Sequence, residues 1–74
     1  MAHERISRDP EIMVGKPVIK GTRITVEHVL REIAAGSSVA DMVVQYPRLT
    51  EADVRAAIAY AADYLAHETM LAAE

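Results

Sequence analysis

Seventy-four residues, 51% hydrophobic and 26% charged, give ordinary globular composition on about half the usual domain length, which leaves room for one core and excludes separate cofactor and substrate domains. The absence of cysteine removes disulfides, thiolate nucleophiles and zinc sites that need sulfur. The net charge of −3 hides a gradient: residues 1–23 carry five cations against three carboxylates, residues 24–48 sum to −1, and residues 49–74 sum to −4.

Residues 6–24 are punctuated by Pro10, Gly15, Pro17 and Gly21, a spacing in which no helix survives. Short strand-like pieces are expected at Val18-Ile19 and Arg23-Ile24 around a Lys20-Gly21-Thr22 turn, with Ile12 to Val14 as a candidate third. Two such strands are marginal in water, so they must lean on helices or pair with a second subunit. Thr25 then caps a first helix, expected over 25–35, in which Val26, Val29, Leu30 and Ile33 form one buried stripe. Gly36 ends it. Ser38 and Asp41 have capping-box spacing and open a second helix over 38–46, with Val39, Met42, Val43 and Tyr46 on one face and Pro47 beyond its end. Thr50 with Asp53, and Leu49 placed to staple onto Val54, start a long alanine-rich third helix over 50–68, with 69–74 as a tail open to fraying.

Along the third helix Val54, Ala57, Ile58, Ala61 and Leu65 form one apolar stripe, the expected core face. Tyr60, Tyr64, His67 and Leu71 form a second one beside it. The second stripe is the candidate dimer or partner interface, since small domains gain stability by extra burial; half-exposed tyrosines and alanines on a monomer remain the alternative.

Apolar runs fall far short of the roughly 20 residues of a membrane span, and Glu4, Arg5, Arg8 and Asp9 interrupt any export signal, so a soluble cytoplasmic protein is expected. His3, His28 and His67 lack the spacing of a helical metal pair. Gly15-Lys16 lacks the upstream glycine and following Ser or Thr of a phosphate loop, and Ser7, Ser37 and Ser38 have no sequence-near base. The expectation is a protein without catalysis, metal or cofactor.

The strings Asp9-Pro10-Glu11-Ile12, Gly15-Lys16-Pro17-Val18-Ile19-Lys20-Gly21-Thr22-Arg23-Ile24, and Gly36 through Tyr46-Pro47-Arg48-Leu49-Thr50 resemble the bacterial and archaeal domain-of-unknown-function 433 family. The likeness spans about residues 6–65, and its one departure is Val14, where the family often has a second glycine. It implies a mainly α, three-helix homeodomain-like helix-turn-helix with a short amino-terminal β element. It also implies the antitoxin of a type II toxin–antitoxin pair, which neutralises a PIN-like ribonuclease toxin and, as a homodimer, binds operator DNA. An oligomerisation or adaptor module without nucleic-acid affinity is the alternative.

Neither helix of the helix-turn-helix unit is rich in groove-reading cations: the second offers Gln45, and the third offers Arg55 among Glu51, Asp53 and Asp63. DNA contact would therefore fall to Arg5, Arg8, Lys16, Lys20 and Arg23. A purely structural role, with Lys20 and Arg23 paired to acids of the long helix, is the competing expectation.

Overall fold

The computed structural model describes the backbone of residues 3–72, with side chains to His67. The chain runs β1 (Ile6–Ser7), a 3-10 turn (Met13–Gly15), β2 (Val18–Ile19), α1 (Val26–Ala34), α2 (Val39–Gln45) and α3 (Glu51–Ala72). The fold is mainly helical, with a two-stranded antiparallel sheet at its amino-terminal side.

The expected β element is present with different partners. Val18–Ile19 pairs with Ile6–Ser7, in register Ile6 with Ile19 and Ser7 with Val18, inside one chain. Arg23-Ile24 does not form a strand; the return passes through a single bridge from Val18 to Thr25, with Ile19 N–H donating to the Ile24 carbonyl at 2.9 Å. The Lys20-Gly21-Thr22 turn forms as expected, closed by Thr22 N–H to the Ile19 carbonyl at 2.9 Å. Gly21 has φ +82°, and no atom lies within 4 Å of where its Cβ would stand, so backbone conformation rather than space calls for glycine there. Ile12 to Val14 is not a third strand: Met13 and Val14 both adopt positive φ, 49° and 58°, which curls the segment instead of extending it.

The helix boundaries follow from their caps. Thr25 Oγ1 accepts from His28 N–H, and Ser38 and Asp41 form a reciprocal capping box. Thr50 and Asp53 form a second one: Asp53 N–H donates to Thr50 Oγ1 at 3.1 Å and Thr50 N–H to Asp53 Oδ2 at 3.0 Å. After α1, Gly36 N–H reaches the Ile33 carbonyl and Ser37 N–H the Glu32 carbonyl, the paired bonds of a Schellman ending, with Gly36 at φ +113°.

The core comprises Ile19, Val26, Val29, Met42, Leu49, Val54 and Ala57, all buried, with Ile6, Leu30, Ile33, Tyr46, Tyr60 and Ala61 among those packed around it. Leu49 and Val54 share this cluster, as the staple requires. The expected core face of α3 holds only in its first half. Even there Ile58, beside the buried Ala57, is 37% exposed, and further on Leu65 is 55% exposed, because α1 and α2, at nine and seven residues, are too short to cover the far part of a 22-residue helix. At 1.5 Å per residue, α1 is about 14 Å long and α3 about 33 Å.

Candidate functional site

The amino-terminal cations separate into three environments. Arg5 Nη1 lies 3.0 Å from Asp53 Oδ1, so it is Arg5, rather than Lys20 or Arg23, that ties the amino-terminal segment to an acid of α3. Lys16 Nζ lies 3.1 Å from Glu27 Oε1, while Arg31 Nε holds the other oxygen of the same carboxylate at 3.1 Å. Lys20 and Arg23 make no ion pair with a described residue; they flank Gly21, whose carbonyl accepts from Arg48 Nη2 at 2.7 Å. The loop between α2 and α3 thereby sets Arg48 at the corner formed by the turn whose neighbouring residues include Lys20 and Arg23. Beside it, Lys20 shares a polar hollow with Glu4, Arg5 and Asp53. Arg8, also without a described ion-pair partner, lines a groove between α1 and α3.

Three carboxyls are held below their ordinary range. Partial burial pushes Asp53 up, but the Thr50 amide, the Arg5 and Thr50 side chains and the Arg5 charge together outweigh it. Asp41 is lowered by the Ser38 amide and then by the Ser38 hydroxyl. Glu27 is lowered by hydrogen bonds from Lys16 and Arg31, then by their charges. These acids are engaged as caps and ion pairs, which keeps them ionised. At the start of α3, Arg55 Nη2 lies 3.6 Å from Glu51 Oε1, so the one cation on this face is partly neutralised by its neighbour.

Two of the three histidines, His3 and His28, serve as fasteners in separate places. His3 Nε2 lies 2.9 Å from Asp63 Oδ2, and its ring meets Tyr60 edge-on at 5.2 Å. His28 Nε2 lies 2.8 Å from the Tyr46 hydroxyl and 3.7 Å from Glu32 Oε2, joining α1 to the end of α2. Among the described residues, no group of three or more His, Cys, Asp or Glu side chains is placed to hold a metal ion. Likewise no helix among them is long and apolar enough to cross a membrane.

The groove between α1 and α3 has a volume of about 540 Å³. Leu30 and Ala34 of α1 face Tyr60, Ala61, Tyr64 and Leu65 of α3 across it. Arg8, Lys16, Glu27 and Arg31 supply its charged lining. Of the expected interface residues, Tyr60 is half-buried and packs on the core, whereas Tyr64 is 57% exposed in the groove with its ring centroid 6.4 Å from that of Tyr60. His67 is exposed and does not line the groove. The Leu71 side chain lies outside the described residues. Sequence reasoning missed Arg48, Leu30, Ala34 and Arg31 as surface partners. Arg48 is brought to its corner by a contact spanning 27 residues, for which no local pattern gives a signal.

These features describe a small trihelical fold with a polar corner and an apolar groove. The chain belongs to the family of proteins of unknown function DUF433, whose profile matches residues 6–61. Its fold is similar to the crystal structure of a DUF433 member protein from Anabaena variabilis ATCC 29413, at TM-score 0.78 and 26% identity, covering 95% of this chain and 69% of that one. It is also 40% identical over 60 residues to the uncharacterized protein y4eO of Sinorhizobium fredii (strain NBRC 101917 / NGR234). That match covers 81% of this chain and 27% of the relative, so the chain spans about a quarter of that protein's length.

Proposed function

We propose that this domain acts by binding macromolecules, as the antitoxin of a toxin–antitoxin pair that holds a PIN-like ribonuclease inactive and contacts operator DNA. The observation that carries the DNA part is the contact of Arg48 with the Gly21 turn, which holds it against the segment that carries Lys20 and Arg23, neither of them ion-paired with a described carboxylate. Cations free of internal partners can displace counterions from phosphates, the main source of nucleic-acid affinity. Arg5 and Lys16 have intramolecular acid partners and contribute less to this contact. The acidic first turn of α3, with Glu51 and Asp53, repels phosphate, so contact is through the corner rather than by insertion of that helix.

The toxin contact falls to the acidic carboxyl-terminal part of the chain, which has a net charge of −4 over residues 49–74 and suits a basic protein surface. Its effect is to occupy the ribonuclease surface, with no chemical step of its own.

The test is retardation of a duplex from the protein's own promoter at low salt. Wild-type protein retards it and Lys20→Ala with Arg23→Ala does not. Equal retardation by the double variant removes the corner from the site. Co-expression with a PIN-like ribonuclease encoded beside it tests the other half: co-purification and loss of RNA cleavage support the reading, and undiminished cleavage refutes it.

A further inference from the structure

The groove between α1 and α3 is charged at one end and apolar along the rest. Ser7 pairs with Val18, and continuing that register sets Arg8 opposite Pro17. The Pro17 carbonyl in turn accepts from Val26 N–H at 2.9 Å. Arg8, Lys16 and Glu27 therefore gather at the first turn of α1, on the rim of the groove. From there Leu30 and Ala34 carry the lining to the last residue of α1, facing Tyr60, Ala61 and Tyr64 of α3. At 1.5 Å per residue, α1 bounds this lining at about 14 Å.

The charged end holds more positive charge than its own acid neutralises. Glu27 receives Lys16 on one oxygen and Arg31 on the other, so a single carboxylate already serves two cations, while Arg8 has no ion-pair partner among the described residues. An incoming anion can take Arg8 at this exposed rim through charge-assisted hydrogen bonds and keep part of its hydration, which limits the cost of desolvating it. The apolar end has depth because Ala34 and Ala61 are small where larger side chains would fill the space. The Tyr60 and Tyr64 rings, with centroids 6.4 Å apart, lie against each other and leave no slot for an aromatic group between them, so the hollow suits a linear tail laid along it. Its volume of about 540 Å³ falls in the range of about 300–1,000 Å³ typical of small-molecule sites, which are mostly apolar with a few polar groups fixing orientation.

We propose that the groove between α1 and α3 binds a small linear amphiphile of the medium-chain carboxylate class, with its head group on Arg8 and Lys16 and its tail along Leu30, Ala34, Ala61 and Tyr64. This inference goes beyond the functional reading. The groove shares no residue with the Lys20, Arg23 and Arg48 corner, so amphiphile binding and DNA retention can fail separately.

The test is titration of the full chain with decanoate below its micellar concentration, followed by backbone amide chemical shifts. Binding is expected with a dissociation constant below about 1 mM, and the shifts should centre on Leu30, Ala34, Ala61 and Tyr64. Octanoate should bind more weakly by about two- to fourfold for each methylene removed, the scale set by taking a methylene out of water, and octanol, which lacks the charge, should bind about tenfold more weakly than octanoate. Arg8→Gln with Lys16→Gln should weaken decanoate by about tenfold or more and leave octanol unchanged, whereas Ala34→Glu should weaken both. Circular dichroism checks that each variant keeps its helices; should the double variant fail to fold, Arg8→Gln alone, at an exposed side chain, gives the same reading. Lys20→Ala with Arg23→Ala should bind decanoate as the wild type does. Shifts centred on the Gly21 corner, affinity independent of chain length, or equal decanoate affinity in the Arg8 and Lys16 variant overturns the proposal. A dissociation constant well above 1 mM for decanoate overturns it too and leaves the groove to a protein segment.

Discussion

Arg5 and Asp53 meet at 3.0 Å across 48 residues of sequence, on a carboxylate that also closes the cap of α3 by accepting from the Thr50 amide. One side chain therefore joins the residue preceding β1 to the start of the long helix. The two halves of this arrangement differ in weight. A capping carboxylate contributes about 0.5–2 kcal/mol, whereas an ion pair with a partner as exposed as Arg5 contributes about 0–1 kcal/mol. Asp53→Ala should thus lower stability by about 1–2 kcal/mol and Arg5→Ala by less than about 1 kcal/mol, read from urea denaturation midpoints. Equal losses would transfer the weight from the cap to the ion pair.

The same acids set the response to pH. Asp53 and Asp41 are lowered from an ordinary value of 3.8, and Glu27 from 4.5, so in mild acid the unfolded chain binds more protons than the folded one. Their contribution is complete above these ordinary values and is lost as pH falls through the lower folded ones. Thermal midpoints should therefore decline between about pH 5 and pH 2, and Asp53→Asn should make that decline shallower. A midpoint that holds steady over this range would show that the caps and pairs carry no net weight.

Val14 is 90% exposed and sits at φ +58°, in left-handed geometry that a β-branched residue adopts at a cost of roughly 1–2 kcal/mol. No burial offsets that cost. Glycine adopts this geometry freely but adds freedom to the unfolded chain, worth roughly 0.5–1 kcal/mol in the other direction. Val14→Gly should raise stability by up to about 1 kcal/mol in chemical denaturation. A loss of stability would mean that the valine side chain makes a contact that matters in solution.

The parts of the fold legible in the sequence are those decided within a few residues. The Ser38–Asp41 and Thr50–Asp53 pairs, the Gly36 ending and the Gly21 turn each follow from a local bonding rule, and all four form. What stayed hidden depends on distance along the chain. Ile6–Ser7 is too short to announce itself as the partner of Val18–Ile19, and its pairing is decided by burial of Ile6 and Ile19 against the helices. The first half of α3 is readable as core from its apolar spacing, but Tyr64 and Leu65 continue the apolar pattern and are exposed, since periodicity does not record where the shorter helices stop. The positive φ of Met13 and Val14 is hidden for the opposite reason: local preference argues against it, and the surrounding turn imposes it. For the candidate surfaces, charge singles out Arg5, Arg8, Lys16, Lys20 and Arg23 alike, and only the fold shows that Arg5 and Lys16 are paired with carboxylates. Arg48 joins Lys20 and Arg23 only through the folded contact with Gly21.

That contact gives the DNA reading a quantitative signature. For duplex DNA, each phosphate neutralised by a cation steepens the fall of log K with log salt by about 0.9. Arg48→Ala should therefore flatten the salt slope by about 0.9 per site, and the loss should be similar on unrelated duplexes because phosphate contacts carry no sequence information. Arg55→Ala is the internal comparison. Its guanidinium lies beside Glu51 on the acidic first turns of α3, so its removal should leave the slope within experimental scatter of the wild type. Fluorescence anisotropy on a labelled duplex between about 50 and 200 mM salt reads both slopes. If Arg55→Ala flattens the slope and Arg48→Ala does not, then α3 rather than the Gly21 corner meets the phosphates, and the charge repulsion argued for that helix is too weak to decide the orientation.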